Sequence, residues 1–258
     1  MTDSILDLPA SSSPRSEPLA DAGAVVLREE LTARDREQMF ALFSAYFAGV
    51  TRSVFERDLA EKQWVIVLRD GRGAIDGFST LMRFEHEGRT VFFSGDTIVA
   101  EERRGTPELS RLWVNHVRAA AKRTDGEVWW FLISSGYRTY RFLPVFFRDF
   151  HPRFDRRSPE LAALLDGIAV HRFGEAYDRA AGIVRLANPS PLRAPHPLFE
   201  HSLPAARGEG RGEGRAAHDP HVRFFLAANP GHARGDELAC LVRVSEDNLT
   251  PAGARMLR

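Results

Sequence analysis

Five consecutive residues, Arg103-Arg104-Gly105-Thr106-Pro107, place two fixed cations and a glycine turn immediately before an amphipathic helical stretch. The first N–H groups of a helix lack intrahelical partners and carry the positive end of its dipole, so a turn of this kind is a cradle for an anion, phosphate first among them. Thr106 is placed to cap the helix, and Pro107 suits its first position, where a missing N–H costs nothing. The same residues also describe a capped turn whose arginines are merely solvated, and the turn alone does not choose between the two. Other reactive side chains offer less. His218-Asp219-Pro220-His221 puts two imidazoles at metal-like spacing, but Pro220 prevents a helical pair and no third ligand stands nearby, so no metal site is expected. Ser134-Ser135-Gly136 lacks the nucleophile-elbow pattern of a serine hydrolase. Cys240 lies in an apolar strand as an inert core thiol, Glu85 and Glu87 flank a hairpin turn as solvated charges, and His232 is a loop histidine without a readable role.

The turn needs a strand to deliver it, and the apolar run Phe92, Phe93, Thr97, Ile98, Val99 supplies one. Ser94-Gly95-Asp96 interrupts that strand, and an internal glycine marks a bulge or a close backbone approach. Upstream, Gln63 to Leu68 reads as an interior strand, and Ala74 to Phe84 and Arg89 to Val99 form a hairpin through Glu85-His86-Glu87-Gly88. Before these, Ala24 to Glu29 offers a short strand. Thr32 with Asp35 three residues on opens a helix whose Met39, Phe40, Leu42, Phe43, Tyr46, Phe47 and Val50 share one face, and Thr51 to about Glu61 follows as a second helix. Downstream, the helix from Thr106 to Lys122 leads to the apolar strand Val128 to Ile133. Thr139 to Phe150 is helical but bent or split by Pro144. Ser158-Pro159-Glu160 starts another helix to about Asp166, and Glu175 to Val184 reads as one more.

The ends differ in character. Residues 1–22 are rich in Ser, Pro, Asp and Ala without apolar periodicity and are expected to be a disordered leader. Residues 189–217 are proline-rich and then Gly/Glu/Arg-repetitive, as a linker is. Between them lie a core over 23–156 and a helical extension over 157–188. Beyond the linker, 218–258 reads as helix (His221 to Ala228), turn (Asn229-Pro230-Gly231) and strand (Glu237 to Val244), and so isolated a strand must pair with the main sheet.

Composition bounds the function. With 35 basic and 35 acidic residues there is no global field to recruit nucleic acid or an anionic membrane. One cysteine excludes an internal disulfide, no apolar run is long enough to span a bilayer, and the start lacks a signal-peptide pattern, so a cytoplasmic location is expected.

The order strand, two helices, three antiparallel strands, helix, strand, helix, over Val25 to about Phe154, resembles the GNAT superfamily of acyl-CoA-dependent acyltransferases. The resemblance implies an α/β fold with a mixed, mostly antiparallel sheet flanked by helices, here carrying an additional C-terminal segment. It implies a bulge at Ser94-Gly95-Asp96 that parts the fourth and fifth strands, and a cofactor slot formed by Val99, Arg103, Arg104, Gly105, Thr106, Ser134 and Ser135. The turn departs from the family pattern Arg/Gln-x-x-Gly-x-Gly/Ala, retaining only Gly105 of the small residues, and a serine stands where the family often has asparagine. The implied activity is transfer of an acyl group from acetyl-CoA or a longer acyl-CoA, or from an acyl carrier protein, to a small-molecule amine. Asp96 would be the base, and Tyr140, off the family spacing, the acid for the leaving thiolate. The alternative is a GNAT-like binding or regulatory module without cofactor binding. Phe131, Phe142, Phe146, Phe147 and Phe150 either line a channel beside the parted strands or pack a core.

Overall fold

The strand and helix signals resolve into one eight-stranded sheet with helices on both faces in the computed structural model, which describes residues 22–103, 106–191, 193 and 219–256. In chain order the elements are β1 (Ala22–Leu27), α1 (Ala33–Tyr46), α2 (Arg52–Ala60), β2 (Trp64–Arg69), β3 (Ile75–His86), β4 (Arg89–Val99), α3 (Glu108–Ala121), β5 (Val128–Ser134), α4 (Tyr137–Tyr140), α5 (Phe142–Phe146), α6 (Pro159–Phe173), β6 (Tyr177–Asp178), β7 (Ile183–Val184), α7 (Pro220–Ala228), β8 (Glu237–Arg243) and α8 (Pro251–Arg255). The strands lie in the order β1-β2-β3-β4-β5-β8-β7-β6, and every neighbouring pair is antiparallel except β4 with β5. The mixed, mostly antiparallel sheet read from the sequence is thus present, and the C-terminal strand enters it between β5 and β7.

The alternation of side chains along the strands divides the core. Phe92, Trp130 and Leu132 face α3, α5 and α7, whereas Phe93, Phe131 and Leu241 face α6, and Val65, Val67 and Phe78 face α1 and α2. Thr32 caps α1 with the reciprocal bonds expected: Asp35 N–H donates to Thr32 Oγ1, and Thr32 N–H donates to the Asp35 carboxylate. A parallel pair needs a crossover, and α3 supplies it between β4 and β5.

One irregularity in this sheet creates the site. Ser79 faces Thr97 and Leu81 faces Ser94, so Thr80 of β3 opposes two residues of β4, Gly95 and Asp96. This is the bulge expected at Ser94-Gly95-Asp96. The parallel pairing of β4 with β5 stops at Ser94 and Leu132; beyond it β4 stays with β3 to Val99, β5 stays with β8 to Ser134, and the two part. Gly95 is required here by close approach. A Cβ on it would lie 2.5 Å from Thr80 Oγ1 and 2.8 Å from Lys62 Cε, closer than real contacts allow.

Several expectations are corrected. Helix α3 starts at Glu108 rather than Thr106; Pro107 is its cap without a side-chain bond, and the Thr106 hydroxyl instead donates to the Arg103 carbonyl at 3.1 Å. The stretch Glu175 to Val184 is a two-strand hairpin, β6 with β7, rather than a helix, because Gly182 takes a positive φ and Asp178 closes the turn by accepting from Ala181 N–H. The helix expected over Thr139 to Phe150 is split at Arg141, and α6 runs on to Phe173, past the Asp166 expected. Gly167 lets α6 pass close to β3, since a Cβ there would come within 2.9 Å of His86 Nε2. The leader and linker expectations fall almost wholly on residues outside those described. The first linker residues are held: Ala48 N–H donates to the Pro191 carbonyl and Arg193 N–H to the Tyr46 carbonyl, at 2.8 and 2.9 Å.

Candidate active site

Where β4 and β5 part, a cleft of about 450 Å³ opens, and its lining comes from both faces of the sheet. On one face the wall is apolar: Leu109, Trp113 and Val114 of α3, Trp130 and Leu132 of β5, and Phe142 and Phe146 of α5. On the other it is mixed, with Phe43, Phe55, Asp58, Lys62, Arg172, Phe173 and Glu237, and the segment Leu186 to Ser190 runs along it from β7 towards α1. Of the aromatic residues expected at a channel, Phe142 and Phe146 line the cleft, while Phe131, Phe147 and Phe150 are packed into the core.

Asp96 lies at the bulge, half-buried and lining the cleft. Burial first, and the charge of Asp58 second, push its carboxyl up to about 7, while Lys62 pulls the other way. Asp58 lines the same cleft beside Asp96. Lys62 is the counter-charge beneath them: its side chain is 1 % exposed, and Nζ bonds the Asp58 carboxylate at 2.9 Å and the Asp58 carbonyl at 3.2 Å. Glu237, at the start of β8, lines the same cleft, and burial followed by the charges of Asp96 and Asp58 pushes it up to about 8. At neutral pH these groups hold protons that ordinary carboxylates would have lost, so the cleft contains both an acceptor and a donor.

Sequence reasoning did not single out Asp58, Lys62 or Glu237. Asp58 and Lys62 stand four residues apart, which puts them side by side at the end of α2, but that spacing is common on solvated helix faces. Glu237 becomes a cleft residue only through the insertion of β8 beside β5, which no local pattern encodes.

The expected cofactor residues separate. Ser134 and Ser135 line the cleft, the Ser134 hydroxyl donating to the Gly136 carbonyl at 2.7 Å. Val99 ends β4 opposite Gly77, beyond the cleft wall. Arg103 is buried and held by protein groups: Nη1 donates to Asp76 Oδ2 and to the Arg69 carbonyl, both at 3.0 Å, and Nη2 pairs with Glu108. A guanidinium bracketed by two carboxylates at a domain interior is a structural tie, which corrects its reading as a phosphate ligand. Glu108 also sets a carboxylate in the first turn of α3, where a bound anion would compete with it. Arg104 and Gly105 lie outside the described residues. The parted strands thus leave an open cleft, and the Arg103 side chain is committed to protein groups.

Tyr140, expected at the parted strands, lies in the core instead. It is fully buried among Phe150, Phe224 and Phe225, and its hydroxyl donates to the Pro152 carbonyl at 3.0 Å. Burial drives its ionisation far above the ordinary phenol range, and it does not line the cleft. The pull of the aromatic cluster on an amphipathic ring outweighs any placement at the parted strands. Tyr140→Phe is accordingly expected to keep its activity per folded molecule and to lose about 1–2 kcal/mol of stability, from the unpaired Pro152 carbonyl, in a urea titration. His221 packs against the same rings, and His218 lies outside the described residues. Among the described residues no group of three or more His, Cys, Asp or Glu is placed to hold a metal ion, and no helix is long and apolar enough to cross a membrane.

No protein-family model and no curated protein sequence matches this chain. Solved structures do resemble it. A GNAT family N-acetyltransferase from Escherichia coli in complex with CoA aligns at 15 % identity over 51 % of this chain and 71 % of its own, with a TM-score of 0.36. An acyl-CoA N-acyltransferase from Pseudomonas aeruginosa aligns at 19 % identity over 43 % and 79 %, with a TM-score of 0.33. An acetyltransferase from Trypanosoma brucei aligns at 18 % identity over 53 % and 99 %, with a TM-score of 0.38.

Proposed function

We propose that this protein, with its GNAT-like sheet, is an acyltransferase that moves an acyl group from a thioester to an amine, with Asp96 as the base. The observation that carries the reading is the cleft at the parting of β4 and β5, apolar on one face and lined with proton-holding carboxyls on the other. A thioester donor, acyl-CoA or an acylated carrier protein, enters with its acyl group against Trp113, Trp130 and Phe142. The amine approaches from the side of Asp58, Lys62 and Glu237. Asp96 takes the proton of the acceptor ammonium, the freed nitrogen pair bonds to the carbonyl carbon, and the C–S bond breaks as the amide forms. Glu237, protonated at neutral pH, gives its proton to the thiolate in place of Tyr140 and is reprotonated by the second proton that the nitrogen loses as the amide forms; the proton on Asp96 is the one released. Products are one amide, one thiol and one released proton.

The rival reading, a binding or regulatory module of the same fold without turnover, is favoured by the commitment of Arg103 to Asp76 and Glu108. One pair of measurements separates them. An acyltransferase shows a rise in Tm with acetyl-CoA or a longer acyl-CoA and releases thiol when an amine panel is added. A Tm rise without thiol release supports the binding module, and no Tm rise with any acyl-CoA or with an acylated carrier protein overturns the thioester reading.

A further inference from the structure

The vertex at which β4 and β5 part is occupied by Ser94, the last residue of β4 to pair with β5, which lines the cleft with 6 % of its surface exposed. Two indoles converge on it. Trp113 Nε1–H of α3 donates to Ser94 Oγ at 3.0 Å, and Trp130 Nε1–H of β5 donates to the same oxygen at 2.9 Å. The rings are packed on one another with centroids 3.8 Å apart, and both are buried, so neither donor can swing away without repacking the core.

A serine hydroxyl has two acceptor directions and one proton. Here both acceptor directions are filled by N–H groups, which leaves the remaining direction to the O–H, and among the described residues no group accepts that proton. The neighbouring hydroxyls on the parted strands differ: Thr97 bonds Ser79 Oγ and the Gly95 carbonyl, and Ser134 bonds the Gly136 carbonyl. Two N–H groups donating into one oxygen also polarise its O–H and make it a stronger donor.

We propose that Ser94 Oγ–H is the side-chain donor that stabilises the oxyanion formed on the thioester carbonyl, with Trp113 and Trp130 as the positioning residues that aim it. The proposal rests on the acyl-transfer reading above. As the amine nitrogen bonds to the carbonyl carbon, the C=O π pair moves onto oxygen, and the Ser94 O–H bonds that oxygen. When the pair returns, the C–S bond breaks and the thiolate leaves; Ser94 keeps its proton throughout. A donor fixed before the reaction, in a cleft walled by apolar side chains, needs no reorganisation as charge develops.

The test is isotope-edited infrared spectroscopy of bound acetyl-CoA and octanoyl-CoA carrying ¹³C at the carbonyl, without an acceptor, combined with steady-state kinetics. In the parent protein the bound carbonyl stretch lies below its value in water, and in Ser94→Ala it returns upward while kcat falls by about 100-fold and KM for the thioester changes little. Because Ser94→Ala leaves two buried indole N–H groups unpaired, Ser94→Thr is measured beside it; it keeps the hydroxyl and restores the low stretch and most of the turnover. Trp130→Phe gives a smaller loss of kcat with the hydroxyl still present. If thioester binds but its stretch and kcat per folded molecule are the same in parent and Ser94→Ala, the proposal is overturned and the acyl-transfer reading stands. If neither of these thioesters nor an acylated carrier protein binds the parent protein, the reading fails and the proposal with it.

Discussion

Asp96→Asn is expected to lower kcat/KM by about 100-fold or more, the usual contribution of a placed general base, and to make the protein more stable at pH 8. The two effects have one cause. Burial and the Asp58 charge hold the Asp96 carboxyl near 7 in the folded state, well above its unfolded value of about 3.9. A carboxyl raised in this way favours folding fully below the unfolded value, where it is protonated in both states. That contribution is lost as pH rises from about 4 through 7, because the unfolded chain releases its proton before the folded one does. Glu237 behaves in the same way up to about 8. Above these values the folded protein holds ionised carboxylates against one another, and asparagine, which cannot ionise, relieves that repulsion. In the parent, kcat/KM rises with pH through about 7 as Asp96 becomes a base; in Asp96→Asn that limb disappears. Activity profiles and melting curves from pH 5 to 9 on both proteins check the pair of effects. A variant that is less stable at pH 8 and fully active would show that Asp96 only caps the bulge.

The parts of this protein legible from sequence are those that local rules encode. The capping box at Thr32 and Asp35, the hairpin at Glu87-Gly88, and the bulge at Gly95 each depend on a few adjacent residues, and each is present. The parallel neighbour of β4 followed from an apolar strand, an amphipathic helix and a second apolar strand, since only a crossover joins these in one sheet. What sequence did not disclose depends on distant partners. Arg103 reads as a free cation at a turn until Asp76, 27 residues earlier on β3, is seen to take it. Tyr140 reads as an available phenol until α7, about 80 residues later, brings Phe224 and Phe225 against its ring. Glu237 reads as the polar start of a strand, and its place in the cleft follows from β8 entering between β5 and β7. A charged side chain declares its type in the sequence, but its partner, and so its role, is set by topology.

Lys62 shows the same dependence and gives the second large effect. It precedes an interior strand, where a lysine is expected to reach solvent, yet its side chain is almost completely enclosed between the end of α2 and the bulge of β4, with Nζ on Asp58 and 5.8 Å from the centroid of the Phe93 ring. A lysine is buried at such cost only when opposite charge meets it, and removing one partner of a buried pair leaves the other uncompensated. Lys62→Met keeps the length of the side chain and discards the charge. It is expected to destabilise the protein by about 2–4 kcal/mol at pH 8, somewhat less than a fully enclosed pair would lose, because Asp58 is 38 % exposed and can regain water. The Lys62 charge lowers the Asp96 pKa, so its removal moves Asp96 above 7 and shifts the activity limb to higher pH. Adding Asp96→Asn to Lys62→Met then removes one of the stranded carboxylates and restores part of the lost stability, a coupling that a double-mutant cycle in urea reads directly. An equal effect of Asp96→Asn in the parent and in Lys62→Met, or an activity limb that stays at 7 in Lys62→Met, would mean that Lys62 is not the counter-charge of Asp96. The base would then owe its proton affinity to burial and Asp58 alone.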